Sequence, residues 1–140
     1  MATKIKKVKG KDAKTKNVKK NVKKEVGLGR VYVSASFNNT LVTVTNAMGE
    51  TLAWSSSGAA GFKGTRRATP YAATTAVERV IGRAKNEFGV DEVEIYVKGP
   101  GPGRDATLRA IRSTGVKIAM IADITPVPHN GPRPKKKRRV

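Results

Sequence analysis

Cysteine is absent from this 140-residue chain, and histidine occurs once, as His129. Without a thiol there is no disulfide, no thiolate nucleophile, no iron–sulfur cluster and no cysteine-built zinc site, and one histidine cannot assemble a multi-histidine metal centre. No stretch approaches the run of about 18 apolar residues that marks a membrane-spanning helix. The charged N-terminal stretch lacks the apolar segment of a secretory signal. Acidic side chains are also scarce: 10 Asp+Glu against 29 Lys+Arg leave a formal charge of +19. The expectation is a soluble, intracellular protein with room for a single core, whose partner is a polyanion and not a membrane.

The charge is not spread evenly. Residues 1–24 hold 11 Lys and one acid, Asp12, while residues 126–140 hold six Lys+Arg and no acid. The 101 residues between them carry 12 basic and nine acidic side chains and 44 of the 53 apolar ones. Three segments are expected: a basic N-terminal extension over 1–27, a nearly neutral core over 28–125, and a basic, Pro-rich tail over 126–140. Repulsion and a shortage of apolar anchors keep such arms disordered when free. Neutralising several phosphates releases several counterions, which favours nucleic acid as the partner. Anionic lipid is the weaker candidate, because no stripe of Trp, Phe or Leu accompanies the lysines.

In the core, RVYVSASF (30–37) alternates with period two, Val31, Val33, Ala35 and Phe37 on one face and Tyr32, Ser34 and Ser36 on the other. Asn38-Asn39 supplies a turn, LVTVTNA (41–47) a second strand, Met48-Gly49 another turn and ETLAWSSS (50–57) a third strand, which together read as an antiparallel meander. Residues 58–69 follow neither period. Thr69-Pro70 then opens a helix, Thr as cap and Pro in the first turn; Ala73, Val77, Val80, Ile81, Ala84 and Phe88 fall at helical spacing and Gly89 stops it. DEVEIYVK (91–98) is the next strand. After GPGPG (99–103) a shorter helix runs from Arg104 to Thr114, with Ala106, Leu108, Ala110 and Ile111 as buried candidates and Gly115 as its end. VKIAMIADI (116–124) is nearly continuously apolar, which predicts a last strand buried on both faces. The order β-β-β-α-β-α-β, with right-handed crossovers into one sheet, predicts an α/β fold: a mixed five-stranded sheet packed by two main helices.

Two glycine-rich loops are the candidate binding elements. KGPGPGR, from Lys98 to Arg104, sits between a strand and a helix, where phosphate meets backbone N–H groups and a helix dipole. Its spacing is G-x-G-x-G and two intervening residues are prolines without N–H groups; no Walker A pattern exists, and Gly61-Phe62-Lys63-Gly64-Thr65 reverses the order needed. A tight turn is the plain reading and a nucleic-acid phosphate beside Lys98 and Arg104 the functional one; no nucleotide or other cofactor is expected. In the second loop Phe62, Lys63, Arg66 and Arg67 stand among Gly58, Gly61 and Gly64. Glycines allow close backbone approach and the cations meet phosphates, with Phe62 read as a core plug ahead of a base stacker. Catalysis is not expected. The first strand offers only Ser34 and Ser36 where nucleases on such sheets place metal-binding carboxylates. Asp91, Glu92, Glu94 and Glu50 read as solvated surface, and a Ser-His-Asp site would have to recruit His129 from a Pro- and Gly-rich tail.

That tail, DITPVPHNGPRPKKKRRV (123–140), contains four prolines and ends in a basic run, so it reads as an extended, polyproline-like arm. Asn130-Gly131 is prone to deamidation because glycine does not hinder succinimide closure. PKKKRRV looks like a nuclear-localisation signal, a short and permissive motif.

FNNT (37–40), AWSSSG (53–58), GFKGTRRATPYAA (61–73), VKGPGPGRDATLRAI (97–111) and DITPVPHNGPRP (123–134) together resemble the universal family of small-subunit ribosomal protein eleven in its bacterial form. The resemblance covers about residues 28–140, with five blocks in the family's order. It implies an RNase-H-like core without nuclease carboxylates, in a cytoplasmic, ribosome-bound protein of the small-subunit platform. It further implies binding to the central domain of small-subunit ribosomal RNA, bridging of RNA helices, and a share in the cleft that holds the Shine-Dalgarno helix of mRNA. The implied neighbours are small-subunit proteins seven and eighteen, with a link to initiation factor three. Carried over by motif, the RNA contacts are Asn38, Asn39, Lys63, Arg66, Arg67, Lys98, Arg104, His129, Asn130, Arg133, Lys135, Lys136, Lys137, Arg138 and Arg139. Thr74 stands where Gln often follows PYAA, and Pro132 replaces a commoner Cys or Val; neither touches the basic contacts. The competing reading is a basic DNA- or nucleoid-binding protein. It needs a groove-entering helix, yet Leu108 and Ile111 interrupt the polar face that carries Arg104, Arg109 and Arg112.

Overall fold

The first strand, β1 (Leu28–Ala35), becomes the centre of the sheet because it has an apolar partner on each side. In register, Val31 and Val33 face Val44 and Val42 of β2 (Thr40–Thr45) on one side, and Ile95 and Val97 of β4 (Glu92–Lys98) on the other. With β3 (Thr51–Ser56) and β5 (Lys117–Asp123) the order is β3-β2-β1-β4-β5, antiparallel through the meander and parallel from β1 to β5. This computed structural model describes residues 26–136 and 139. The Lys-rich segment expected over 1–27 lies outside the described residues apart from Val26 and Gly27, as do Lys137 and Arg138.

Helix α1 (Pro70–Phe88) carries the β3-to-β4 crossover and α2 (Gly103–Ser113) the β4-to-β5 crossover. Both connections advance in the same direction across the sheet, so right-handedness places both helices on the same face. The ends of α1 follow the local signals. Thr69 Oγ1 accepts a hydrogen bond from the Ala72 N–H at 3.3 Å, Pro70 stands in the first turn, and Gly89 takes a left-handed conformation (φ 63°). Ala72, Ala73 and Ala76 are fully buried, and their short side chains let α1 approach the sheet closely. Val77, Val80, Ile81 and Ala84 then meet the strand valines, with Ala110 and Ile111 of α2 completing the core. Each Val or Ile buried there contributes about 1.5–3 kcal/mol of transfer free energy.

Two expectations fail, for different reasons. β1 ends at Ala35, so Phe37, expected on the buried face, sits in the β1–β2 turn and is 70% exposed. β5 is not buried on both faces. It is an edge strand in which Ile118 packs against the core while Met120 and Ile121 remain exposed. Its apolar run is continuous, but the helices do not extend far enough to cover the outermost strand. Among the described residues no helix covers the opposite face of the sheet. Across it Trp54, Thr43, Tyr32, Tyr96 and Ala122 form one in-register row, and the rings of Tyr32 and Tyr96 stack at 5.2 Å and 16°.

Candidate nucleic-acid interface

Strand direction decides where the candidate residues meet. β1, β3, β4 and β5 share one sense, so their C-terminal ends lie at one end of the sheet, where β2 begins. That end gathers the β1–β2 turn, the loop after β3, the β4–α2 loop and the chain leaving β5. Both helices also start there, directing their N-terminal dipoles toward it. Hydrogen bonds between backbones tie the loops together: Gly101 N–H donates to Ala35 O (2.9 Å), Ser57 N–H to Thr40 O (3.0 Å) and Ile124 N–H to Val97 O (2.9 Å).

The turn is closed by Ser36, whose N–H and hydroxyl both donate to Asn39 O at 2.9 Å. Asn38 is exposed, whereas Asn39 Oδ1 is buried and has no partner among the described residues. After β3 a tight turn leads into a short 3-10 helix, Gly64–Ala68, with Lys63 as its cap residue and Arg66 and Arg67 in its last turn. All three cations are exposed. Thr69 joins this element to α1, its hydroxyl donating to Arg66 O at 2.7 Å while it caps Ala72. Phe62 is half-buried and meets Tyr71 edge-on at 5.8 Å, so it packs on a neighbouring ring and not in the core.

The GPGPG loop is built for backbone packing. Gly99 has φ +96°, and a Cβ there would collide with the carbonyl of Ala35; a Cβ on Gly101 would collide with the carbonyl of Ser36. Three N–H groups of this stretch are also committed: Gly99 donates to Thr125 Oγ1 (3.2 Å), Gly101 to Ala35 O and Arg104 to Gly101 O. A nucleotide phosphate would find these three donors already used.

Arg104 departs from a cation waiting for phosphate. Its Nη2 donates to Asp123 Oδ2 at 2.6 Å and its Nη1 to Gly99 O at 3.4 Å. Asp123 Oδ1 accepts from the Thr125 hydroxyl (2.6 Å) and N–H (2.9 Å). The Thr125 hydroxyl first, then the Arg104 guanidinium, hold this carboxyl well below the usual carboxylate range. Arg104 therefore pins the exit of the tail to the β4–α2 loop. Lys98 is exposed at the end of β4, opposite Ser34. Beyond it His129, Asn130, Arg133, Lys135, Lys136 and Arg139 are exposed on chain without regular structure, and Asn130 adopts a left-handed φ of 53° ahead of Gly131.

The structure thus brings Asn38, Asn39, Lys63, Arg66, Arg67 and Lys98 to one end, turns Arg104 inward, and starts the tail from the same end. Sequence reasoning missed the outer-face aromatics and the arginines of α1. The signal for the aromatics was present in the period-two pattern, which puts Trp54, Tyr32 and Tyr96 on the face away from the valines. Glu94 supports that face, accepting from Arg30 Nε (3.0 Å) and the Tyr96 hydroxyl (3.1 Å). Among the described residues no three His, Cys, Asp or Glu side chains form a metal-sized group. No helix among them is long and apolar enough to cross a membrane.

The family model described as ribosomal protein S11 matches residues 29–139. A small ribosomal subunit protein uS11 from Bordetella avium is 54% identical over 123 residues, covering 88% of this chain and 92% of the relative. The protein of the same name from Alteromonas mediterranea is 51% identical over 128 residues, covering 91% and 98%. That from Chromobacterium violaceum is 54% identical over 123 residues, covering 88% and 93%. With most of its length matched at this identity, the chain belongs to the ribosomal protein S11 family.

Proposed function

We propose that this chain binds the central domain of small-subunit ribosomal RNA on the platform, where it bridges RNA helices and helps to form the cleft for the Shine-Dalgarno helix of mRNA. Family membership makes it a structural protein of the small ribosomal subunit, part of the translation machinery and not an enzyme. The finer reading rests on the gathering of Asn38, Asn39, Lys63, Arg66, Arg67 and Lys98 at the end of the sheet from which the basic tail departs. There the cations meet phosphates crowded by adjoining helices, and the core over 28–125 sets where the flanking basic segments emerge. In this reading the protein is cytoplasmic, with small-subunit proteins seven and eighteen as neighbours and initiation factor three as a transient partner. The DNA-binding alternative is weaker, because Thr107, Ala110 and Ile111 bury one face of α2 and Arg104 is pinned to Asp123.

Sucrose-gradient fractionation of a cell extract in moderate salt tests the assignment. Cosedimentation with the small subunit that survives a salt wash is expected, as are crosslinks from Lys63, Arg66 and Lys98 to the central domain. Sedimentation with chromosomal DNA or at the top of the gradient overturns it, and crosslinks to another RNA domain overturn the platform placement alone.

A further inference from the structure

Trp54 has no role in the core. It stands on the outer face of β3, an edge strand, and is 62% exposed in a protein whose interior is built from Val, Ile and Ala. With Ala59 of the following loop and Arg79 and Arg83 of α1 it lines an open groove of about 310 Å³ along that edge. The two arginines lie one helical turn apart, so their guanidinium groups reach the same stretch of the groove. Arg79 Nη1 donates to Ala59 O at 3.1 Å, which fixes it against the loop that leads to Arg66 and Arg67. The groove therefore borders the loop after β3 that carries those cations. Arg83 forms an exposed i,i+4 pair with Glu87, at 3.3 Å, and such a pair yields readily to a phosphate.

We propose that this groove holds an unpaired ribonucleotide of a single-stranded RNA segment, its base on the Trp54 indole and its phosphates on Arg79 and Arg83. The proposal rests on the RNA-binding reading above and adds to it a second site, outside the loop cluster, that takes unpaired RNA. An exposed indole beside two guanidinium groups suits one nucleotide: the ring stacks on any base and the cations hold the backbone. A paired base is held in its own stack, so a duplex contributes only phosphates to the groove.

Trp54 is the single tryptophan of the chain, so emission excited at the red edge, where the three tyrosines do not absorb, reports on this groove alone. The full chain is titrated with an unstructured single-stranded RNA, a duplex RNA of equal phosphate count and poly-glutamate, and RNA binding is followed independently by the anisotropy of a dye on the RNA. The single strand is expected to quench Trp54, and the duplex to bind without doing so. Trp54→Ala should weaken single-strand binding about fivefold or more and leave duplex binding unchanged. Arg79→Gln with Arg83→Gln should shift the quenching titration to higher RNA concentration, which keeps the test intact should the tryptophan variant unfold in a thermal melt. Single-strand binding with unaltered emission overturns the groove and leaves the RNA-binding reading standing. Failure to bind either RNA overturns both. Equal quenching by poly-glutamate overturns the proposal in favour of an acidic protein segment.

Discussion

At the scale of single residues, the glycines on either side of α2 separate two kinds of constraint. Gly115 takes φ +72° with open space where a Cβ would stand, whereas a Cβ on Gly101 overlaps the Ser36 carbonyl. Gly115→Ala should cost about 1 kcal/mol, the left-handed penalty alone. Gly101→Ala should cost about 3 kcal/mol or more, since backbone has to move; urea denaturation of both variants checks the ranking. Asp123 gives a pH signature. Its folded pKa lies below the unfolded value, so the bonds from Thr125 and Arg104 contribute fully above about pH 4 and are lost as pH falls toward the folded value. The difference in Tm between the parent chain and Asp123→Asn should therefore be greatest at neutral pH and close in acid, and a difference constant down to pH 2 would contradict the pin. The turn was legible in the spacing of GPGPG; the pin was not. Nothing local announces that Arg104 will find a carboxylate 19 residues away, and the basic residue beside a glycine loop reads as a phosphate ligand.

At the scale of elements, reading succeeded where the signal is local and failed where it depends on neighbours. Thr69, Pro70 and Gly89 delimit α1 because caps act within a turn or two of the chain. The alternation of β1 and β4 reports which face is dry, since both strands are central. β5 has the composition of a buried strand, but burial also needs an element on each side, and the outermost position leaves it covered on part of one face. Ile111→Ala in α2, fully buried, should cost about 2–5 kcal/mol. Ile121→Ala in β5 should cost less than about 1 kcal/mol, because that side chain is 56% exposed. Chemical denaturation separates the two, and equal losses would mean that β5 is covered. Phe37 follows the same logic: two positions of continued alternation read as strand, but the Ser36–Asn39 turn hydrogen bonds end it first.

At the scale of the whole molecule, the cations at the basic end act together and are best tested together. Lys63→Gln, Arg66→Gln and Arg67→Gln combined should flatten the dependence of log K for RNA on log salt by up to about 0.9 for each phosphate no longer neutralised, with the thermal melt unchanged because all three are exposed. An unchanged slope would remove this loop from the interface. The basic composition was legible at once, but its convergence was not, because it depends on four strands sharing one direction. The same topology separates the two points where the chain enters and leaves the core. Val26 and Gly27 hydrogen-bond to Phe88, Asp91 and Glu92 where β1 and β4 begin, while Thr125 leaves from the end where they finish. The eight residues of β1 put about 26 Å between entry and exit. A rigid body held at both poles dissociates only when both let go within the same interval, since the attached pole keeps the loose one at high effective concentration. In the proposed reading a basic segment grips RNA at each pole, so residence time becomes the product of two modest grips, and removing either terminal segment should shorten it far more than its own affinity suggests.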